Sequence, residues 1–141
     1  MELNAYQKKV LGNLRDFLRL LETRSPADAY RDLWESRDVQ VNPIDGGGMP
    51  PYRDIITGVP HVCFKVPTGG GKTFLAACAI RHIKDAVVQS GEGAVVWLVP
   101  SDTILEQTLA NLKNIDHPYR QRLQKDFTAG VEIYSKEQLI N

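Results

Sequence analysis

The residues best suited to chemistry lie in one stretch, VCFKVPTGGGKTFLAACA, at residues 62–79. An apolar run stops at Pro67. Thr68 and three glycines, Gly69, Gly70 and Gly71, follow, then Lys72, Thr73 and a run of helix formers. Strand, glycine-rich loop, Lys-Thr and helix is the arrangement of a P-loop, which holds the phosphates of a nucleotide. Glycines let backbone N–H groups converge on an anion with no Cβ in the way. The positive end of the following helix faces the same point. In this reading Lys72 is the catalytic cation at the terminal phosphates of ATP, and the Thr73 hydroxyl ligates Mg²⁺. The general pattern G-x-x-x-x-G-K-[ST] asks for glycine where this chain has Val66. The bland alternative is a tight strand-to-helix connection, and the apolar segment and helix formers on either side weigh against it. A second glycine run, at residues 46–48, lacks a following Lys-Ser/Thr and reads as a linker.

The elements that must position this loop fit in about one domain, since the chain has 141 residues. Seventeen basic and 17 acidic residues cancel, so a nucleic-acid contact must come from a local patch, and no run of Lys and Arg marks one. No apolar run approaches the roughly 18 residues of a transmembrane helix, so no membrane partner is expected. The start, MELNAYQKKV, lacks the apolar core of a signal peptide. Cys63 and Cys78 are too far apart to make a metal-binding pair and are expected to be small buried hydrophobes. His61, His82 and His117 are scattered. The expectation is a reducing, cytoplasmic setting and no metal beyond nucleotide-bound Mg²⁺.

Residues 4–24 are predicted to form an amphipathic helix with Val10, Leu14, Phe17, Leu18 and Leu21 on one face and Asn4 as N-cap. Ser25-Pro26 opens a second helix, to about residue 35, with Tyr30, Leu33 and Trp34 on one face. Residues 38–59 have no period and read as a surface loop. A strand is expected at 61–66, a helix at 72–89 with Ala76, Ala79, Ile80, Ile83 and Val87 inward, and a break at SGEG, residues 90–93. AVVWLV, residues 94–99, reads as a strand apolar on both faces. Ser101 or Asp102 caps a third long helix with Ile104, Leu105, Thr108, Leu109 and Leu112 inward. Residues 117–125 are weakly helical, 131–134 read as a strand, and Ser135 with Gln138 opens another helix through the capping-box pattern. This alternation implies an α/β fold: a parallel sheet flanked by helices, reached by right-handed crossovers and preceded by the amphipathic helix. The organisation expected is a helical segment at 1–37, a loop at 38–59 and a P-loop lobe at 60–141.

A P-loop NTPase needs an apolar strand that delivers an Asp to the Mg²⁺ shell. After AVVWLV that position is Pro100, and Asp102 is better explained as part of a helix cap. The acid is absent, the sheet is incomplete, and the chain reads as the N-terminal piece of a longer protein.

PTGGGKT, residues 67–73, resembles motif I of superfamily 2 helicases, where the first glycine is commonly replaced. That accounts for Val66. PSDTILEQT, residues 100–108, is similar to motif Ia, with Pro100, Leu105 and Gln107 at matching spacing. The resemblance implies that Pro100, Ser101 and Thr103 touch the sugar-phosphate backbone of a bound strand. Tyr6-Gln7 looks like the YQ of the upstream glutamine motif, which implies that Gln7 reads adenine. Residues 128–130 correspond weakly to motif Ib. Within the superfamily these forms most resemble the ATPase subunit of type III restriction enzymes and related phage-defence proteins. The resemblance implies the N-terminal RecA-like lobe of an ATP-dependent DNA helicase or translocase, truncated before the Walker B acid. ATP and Mg²⁺ would be its cofactors, held by Gln7, Thr68, Gly69, Gly70, Gly71, Lys72 and Thr73. DNA in preference to RNA, with a modification or specificity subunit, would be its partners. The competing readings are another P-loop NTPase, such as a kinase or transport ATPase, and a non-enzymatic truncated regulatory protein.

Overall fold

A computed structural model describes residues 2–87 and 93–140. Six helices form along it: α1 (Ala5–Leu20), α2 (Pro26–Glu35), α3 (Lys72–Val87), α4 (Asp102–Lys113), α5 (Pro118–Asp126) and α6 (Lys136–Ile140). The chain divides into two compact units, one of Asn4–Pro67 and the other carrying everything from Thr68 onward.

In the first unit, α1 starts where the sequence places it. The Asn4 side chain accepts from the Gln7 N–H at 2.9 Å, and the Gln7 side chain accepts from the Asn4 N–H at 3.0 Å. This reciprocal capping box satisfies two donors that a helix start otherwise leaves open. Ser25 caps α2 and Pro26 begins it, as expected where a missing N–H costs nothing. Phe17 of α1 buries against Ala29 and Leu33 of α2, with Leu20, Leu21, Tyr30 and Tyr52 closing over them. Arg37 fastens the pair from the side, donating to Asp16 at 2.7 Å and to the Leu33 carbonyl at 2.9 Å.

The loop after α2 is not the open linker its glycines suggest. Asn42 donates to the Met49 carbonyl at 2.7 Å and Met49 donates to that of Gln40 at 2.9 Å, closing a turn. Gly48 sits at φ +88°, and a Cβ there would lie 2.3 Å from the Gln40 carbonyl oxygen. Only glycine fits.

In the second unit Ala77 of α3, Leu112 of α4 and Leu123 of α5 meet in one core. Arg81 of α3 pairs with Asp85 at 2.6 Å and also donates to the Asp126 carbonyl at the end of α5. Lys84 lies over the Phe127 ring, 5.1 Å from its centre. The face of α3 differs from the expected one. Phe74, Leu75, Ala77 and Cys78 are buried, while Ala76, Ile83 and Val87 are exposed. On α4, Thr108 and Leu112 are buried, but Ile104 and Leu105 are exposed. Cys63 is exposed, contrary to expectation; Cys78 is buried, and burial raises its thiol pKa.

The parallel sheet is the main correction. Among the described residues there is no strand, and the one bridge, Val41 with Met49, is isolated inside the loop. The α/β, RecA-like architecture is therefore replaced by an all-helical one. The expected strands at 61–66, 94–99 and 131–134 are irregular segments. Residues 62–65 are all exposed, whereas at 96–99 and 131–134 the side chains still alternate. Val131 and Ile133 pack against the α3–α4–α5 core while Glu132 and Tyr134 face out. Trp97 packs inward, whereas Val96 and Leu98 are 83% and 86% exposed. A period of two records which side chains face a core. A sheet also needs neighbouring backbones to exchange hydrogen bonds, and here helices supply apolar cover only to Trp97, Val131 and Ile133. The break expected at 90–93 falls largely on residues outside those described, as does Gln89.

Candidate phosphate-binding loop

The apolar segment through Val66 is irregular as far as Pro67, and the chain then turns at Thr68 and Gly69. Gly69 has φ +78° and Gly71 φ +73°, left-handed conformations that favour glycine. A Cβ on Gly69 would meet nothing within 4 Å, so backbone conformation, not crowding, is what calls for glycine there. The Gly71 carbonyl accepts the first α3 bond, from Leu75 N–H at 2.9 Å. Gly71 thus stands at the cap position and has no side chain to fill the role. By contrast Asn4, Ser25, Ser101 and His117 cap their helices with side-chain acceptors. A helix start whose cap position is glycine, following a left-handed turn, can present N–H groups to an anion. Lys72, the first residue of α3, is exposed, and Thr73 beside it is half-buried. Thr68, Gly69, Gly70, Gly71, Lys72 and Thr73 are thus brought together as one loop and helix start. For Mg²⁺ the residue after Lys72 offers the Thr73 hydroxyl, and among the described residues no cluster of His, Cys, Asp and Glu could hold a metal by itself.

Tyr6 and Gln7 lie in the first turn of α1, in the other unit. The Tyr6 hydroxyl donates to the Lys65 carbonyl at 3.2 Å, two residues before Pro67. Gln7 is only 4% exposed, and its amide oxygen is engaged by the capping box.

Ser101 caps α4, its hydroxyl accepting from Ile104 N–H at 3.4 Å, and Asp102 adds an acid to the first turn. Pro100, Ser101 and Thr103 are all exposed around this helix start.

One contributor escaped the sequence reading. Helix α5, expected to be weak, supports the start of α3: the Tyr119 ring stacks on Phe74, one residue beyond Thr73, with centres 6.0 Å apart. His117 caps α5, Pro118 opens it and Leu123 anchors it. The signal was the His-Pro start, a cap followed by proline at the first helical position.

The molecule is thus a helical protein whose second unit opens with a glycine-rich loop feeding Lys-Thr into a helix. It belongs to the type III restriction enzyme res subunit family, which matches residues 1–140, a superfamily 2 helicase-related ATPase domain. The helicase likeness read from PTGGGKT and PSDTILEQT is borne out at the level of the family. No curated protein and no solved structure matches the chain. Among the described residues no helix is long and apolar enough to cross a membrane.

Proposed function

We propose that this chain is the nucleotide-binding part of an ATP-dependent DNA helicase or translocase of a restriction or phage-defence system, working in the cytoplasm. The carrying observation is the loop of Thr68, Gly69, Gly70 and Gly71, left-handed at Gly69 and Gly71, which delivers Lys72 and Thr73 into an α3 start with no side chain at its cap position. Family membership supports ATP as the nucleotide.

The backbone N–H groups of the loop and of the first turn of α3 would hold phosphate oxygens. Lys72 would neutralise the terminal phosphates. Thr73 is the residue of this loop that would hold Mg²⁺ through its hydroxyl, and the ion would supply positive charge at the phosphates. Gln7 would read adenine through its amide. Pro100, Ser101 and Thr103 would meet the sugar-phosphate backbone of DNA at the start of α4, largely without regard to sequence. A modification or specificity subunit is the natural further partner for a member of this family. The sequence has Pro100 where AVVWLV would deliver a metal-shell acid, so the chain itself is proposed to bind ATP without turning it over.

The test is titration with a fluorescent ATP analogue in the presence of Mg²⁺. Binding that Lys72→Ala weakens tenfold or more is the expected result. Equal binding by the wild-type chain and Lys72→Ala would overturn the reading. Steady-state hydrolysis by the purified chain, abolished by Lys72→Ala, would overturn the absence of turnover.

A further inference from the structure

The sequence contains no run of Lys and Arg, but the fold assembles a basic surface from dispersed positions. Helix α1 carries Lys8, Lys9, Arg15 and Arg19, all exposed. At about 100° per residue, Lys8, Arg15 and Arg19 share a strip roughly 40° wide, with Lys9 about 80° further round the helix. The strip flanks the buried face of Leu11, Leu14, Phe17 and Leu18, and Lys9 lies on the far side from that face. It runs about 16 Å along the helix at about 1.5 Å per residue.

Three observations separate this strip from an ordinary solvated face. First, among the described residues its cations form no ion pair, while Arg24, Arg31, Arg37, Arg81 and Arg122 all do. The one acid within α1, Asp16, is bound to Arg37 at 2.7 Å and offers them little. The flanking acids, Glu2 and Glu22, lie outside the helix. Second, the first turn of α1 contains no acid, and Lys8 and Lys9 stand at its close, against the positive pole of the helix. That placement opposes the helix dipole, and breaches of a local rule gather at functional positions. Third, Gly12 interrupts the strip, and a Cβ there would meet nothing within 4 Å. Glycine in a helix interior costs about 1 kcal/mol relative to alanine, and here it leaves room for a chain to approach the helix backbone.

We propose that Lys8, Lys9, Arg15 and Arg19 form a phosphate-backbone track for nucleic acid, additional to Pro100, Ser101 and Thr103. The proposal rests on the nucleic-acid part of the reading above and is independent of the nucleotide loop. A nucleic acid suits the strip better than a protein or membrane. The strip carries no large apolar side chain of the kind that anchors a protein interface, and the apolar face of α1 is already covered by α2, so it cannot enter a bilayer.

The test uses the 141-residue chain and fluorescein-labelled DNA, a 20-base-pair duplex and one of its strands, with affinity measured from 50 to 200 mM salt. Neutralising one track cation should lower the slope of log K against log salt by about 0.9 for duplex and about 0.7 for single strand. Lys8→Gln, Lys9→Gln, Arg15→Gln and Arg19→Gln together should remove about four times that. Charge-preserving Lys8→Arg and Arg15→Lys should retain the slope. Gly12→Glu, which places an acid in open space, should weaken binding severalfold. Unchanged slopes in the neutralised variants overturn the track, and if Ser101→Ala or Thr103→Ala lowers affinity in the same assay, the nucleic-acid reading survives without it. No binding of either DNA overturns the track while leaving ATP binding to be judged by its own titration. Binding of polyglutamate that matches DNA and falls with the same variants overturns it in favour of an acidic protein partner.

Discussion

The Tyr6 hydroxyl donates a hydrogen bond to the Lys65 carbonyl oxygen at 3.2 Å, across 59 residues of sequence. It ties the first turn of α1 to the irregular segment that leads into Pro67 and the glycine loop. The same turn holds the Asn4–Gln7 capping box. The YQ pair is therefore a structural tie and a helix cap before any contact with nucleotide is considered.

Tyr6→Phe isolates the tie, because it removes the donor and keeps the ring. A net hydrogen bond contributes about 0.5–1.5 kcal/mol, and this one is exposed, so a loss near the lower end is expected in urea unfolding. Fluorescent-ATP affinity should fall as well, because Lys65 lies only three residues before Thr68. A stable variant with unaltered affinity would show that the tie does not help to set the loop.

Gln7 has two candidate roles that chemistry can separate. Gln7→Glu keeps an oxygen to accept from Asn4 N–H but loses the amide NH₂ that could donate to adenine. It should keep the helicity of α1 in circular dichroism and lose any preference for ATP over GTP in competition. Gln7→Ala should lose the preference and also about 1 kcal/mol of stability, the usual scale for a lost helix cap. Retained ATP preference in Gln7→Glu would remove the adenine role and leave the cap.

Gly69→Ala tests the loop through backbone conformation alone. At φ +78° an L-residue pays about 1–2 kcal/mol, and nothing near the new methyl would clash. The expected outcome is weaker ATP-analogue binding with helicity unchanged. Equal affinity would mean that the left-handed turn is not the conformation that grips phosphate.

How much of this was legible in the sequence follows from what each signal measures. Asn4, Ser25, Ser101 and Pro26 act locally, through hydrogen bonds and ring geometry within four residues, and their helices begin where those residues stand. Gly69 and Gly71 are local too, and both are left-handed. AVVWLV is different: its apolarity asks for cover on two faces but cannot say what provides it. Trp97 finds a helical core, and Val96 and Leu98 find none. The inward face of α3 was misjudged for the same reason. Ala76, Ile83 and Val87 were assigned to a sheet, whereas α5 draws in Phe74 and Ala77. The basic strip on α1 was invisible as a run because Arg37, 21 residues away from Asp16, decides which cations remain unpaired.

The start of α2 carries a pH signature. The Ser25 hydroxyl donates to the Asp28 carboxylate at 2.7 Å, and Arg31 donates to its other oxygen at 2.6 Å. Both hold the Asp28 pKa below its ordinary value of 3.8, the serine bond being the larger cause and the Arg31 bond the next. A carboxylate with a depressed folded pKa adds stability that is fully present above the unfolded value of about 3.9 and disappears as pH falls through the folded one. Acid titration should therefore leave this contribution intact above about pH 5 and remove it progressively below about pH 4. In Asp28→Asn that part of the acid transition should be absent, with Ser25 still able to cap the helix through its own oxygen. Helicity followed by circular dichroism from pH 6 to 2 checks this. Superimposable acid transitions in the two proteins would show that the Ser25–Asp28–Arg31 cluster contributes nothing to folding.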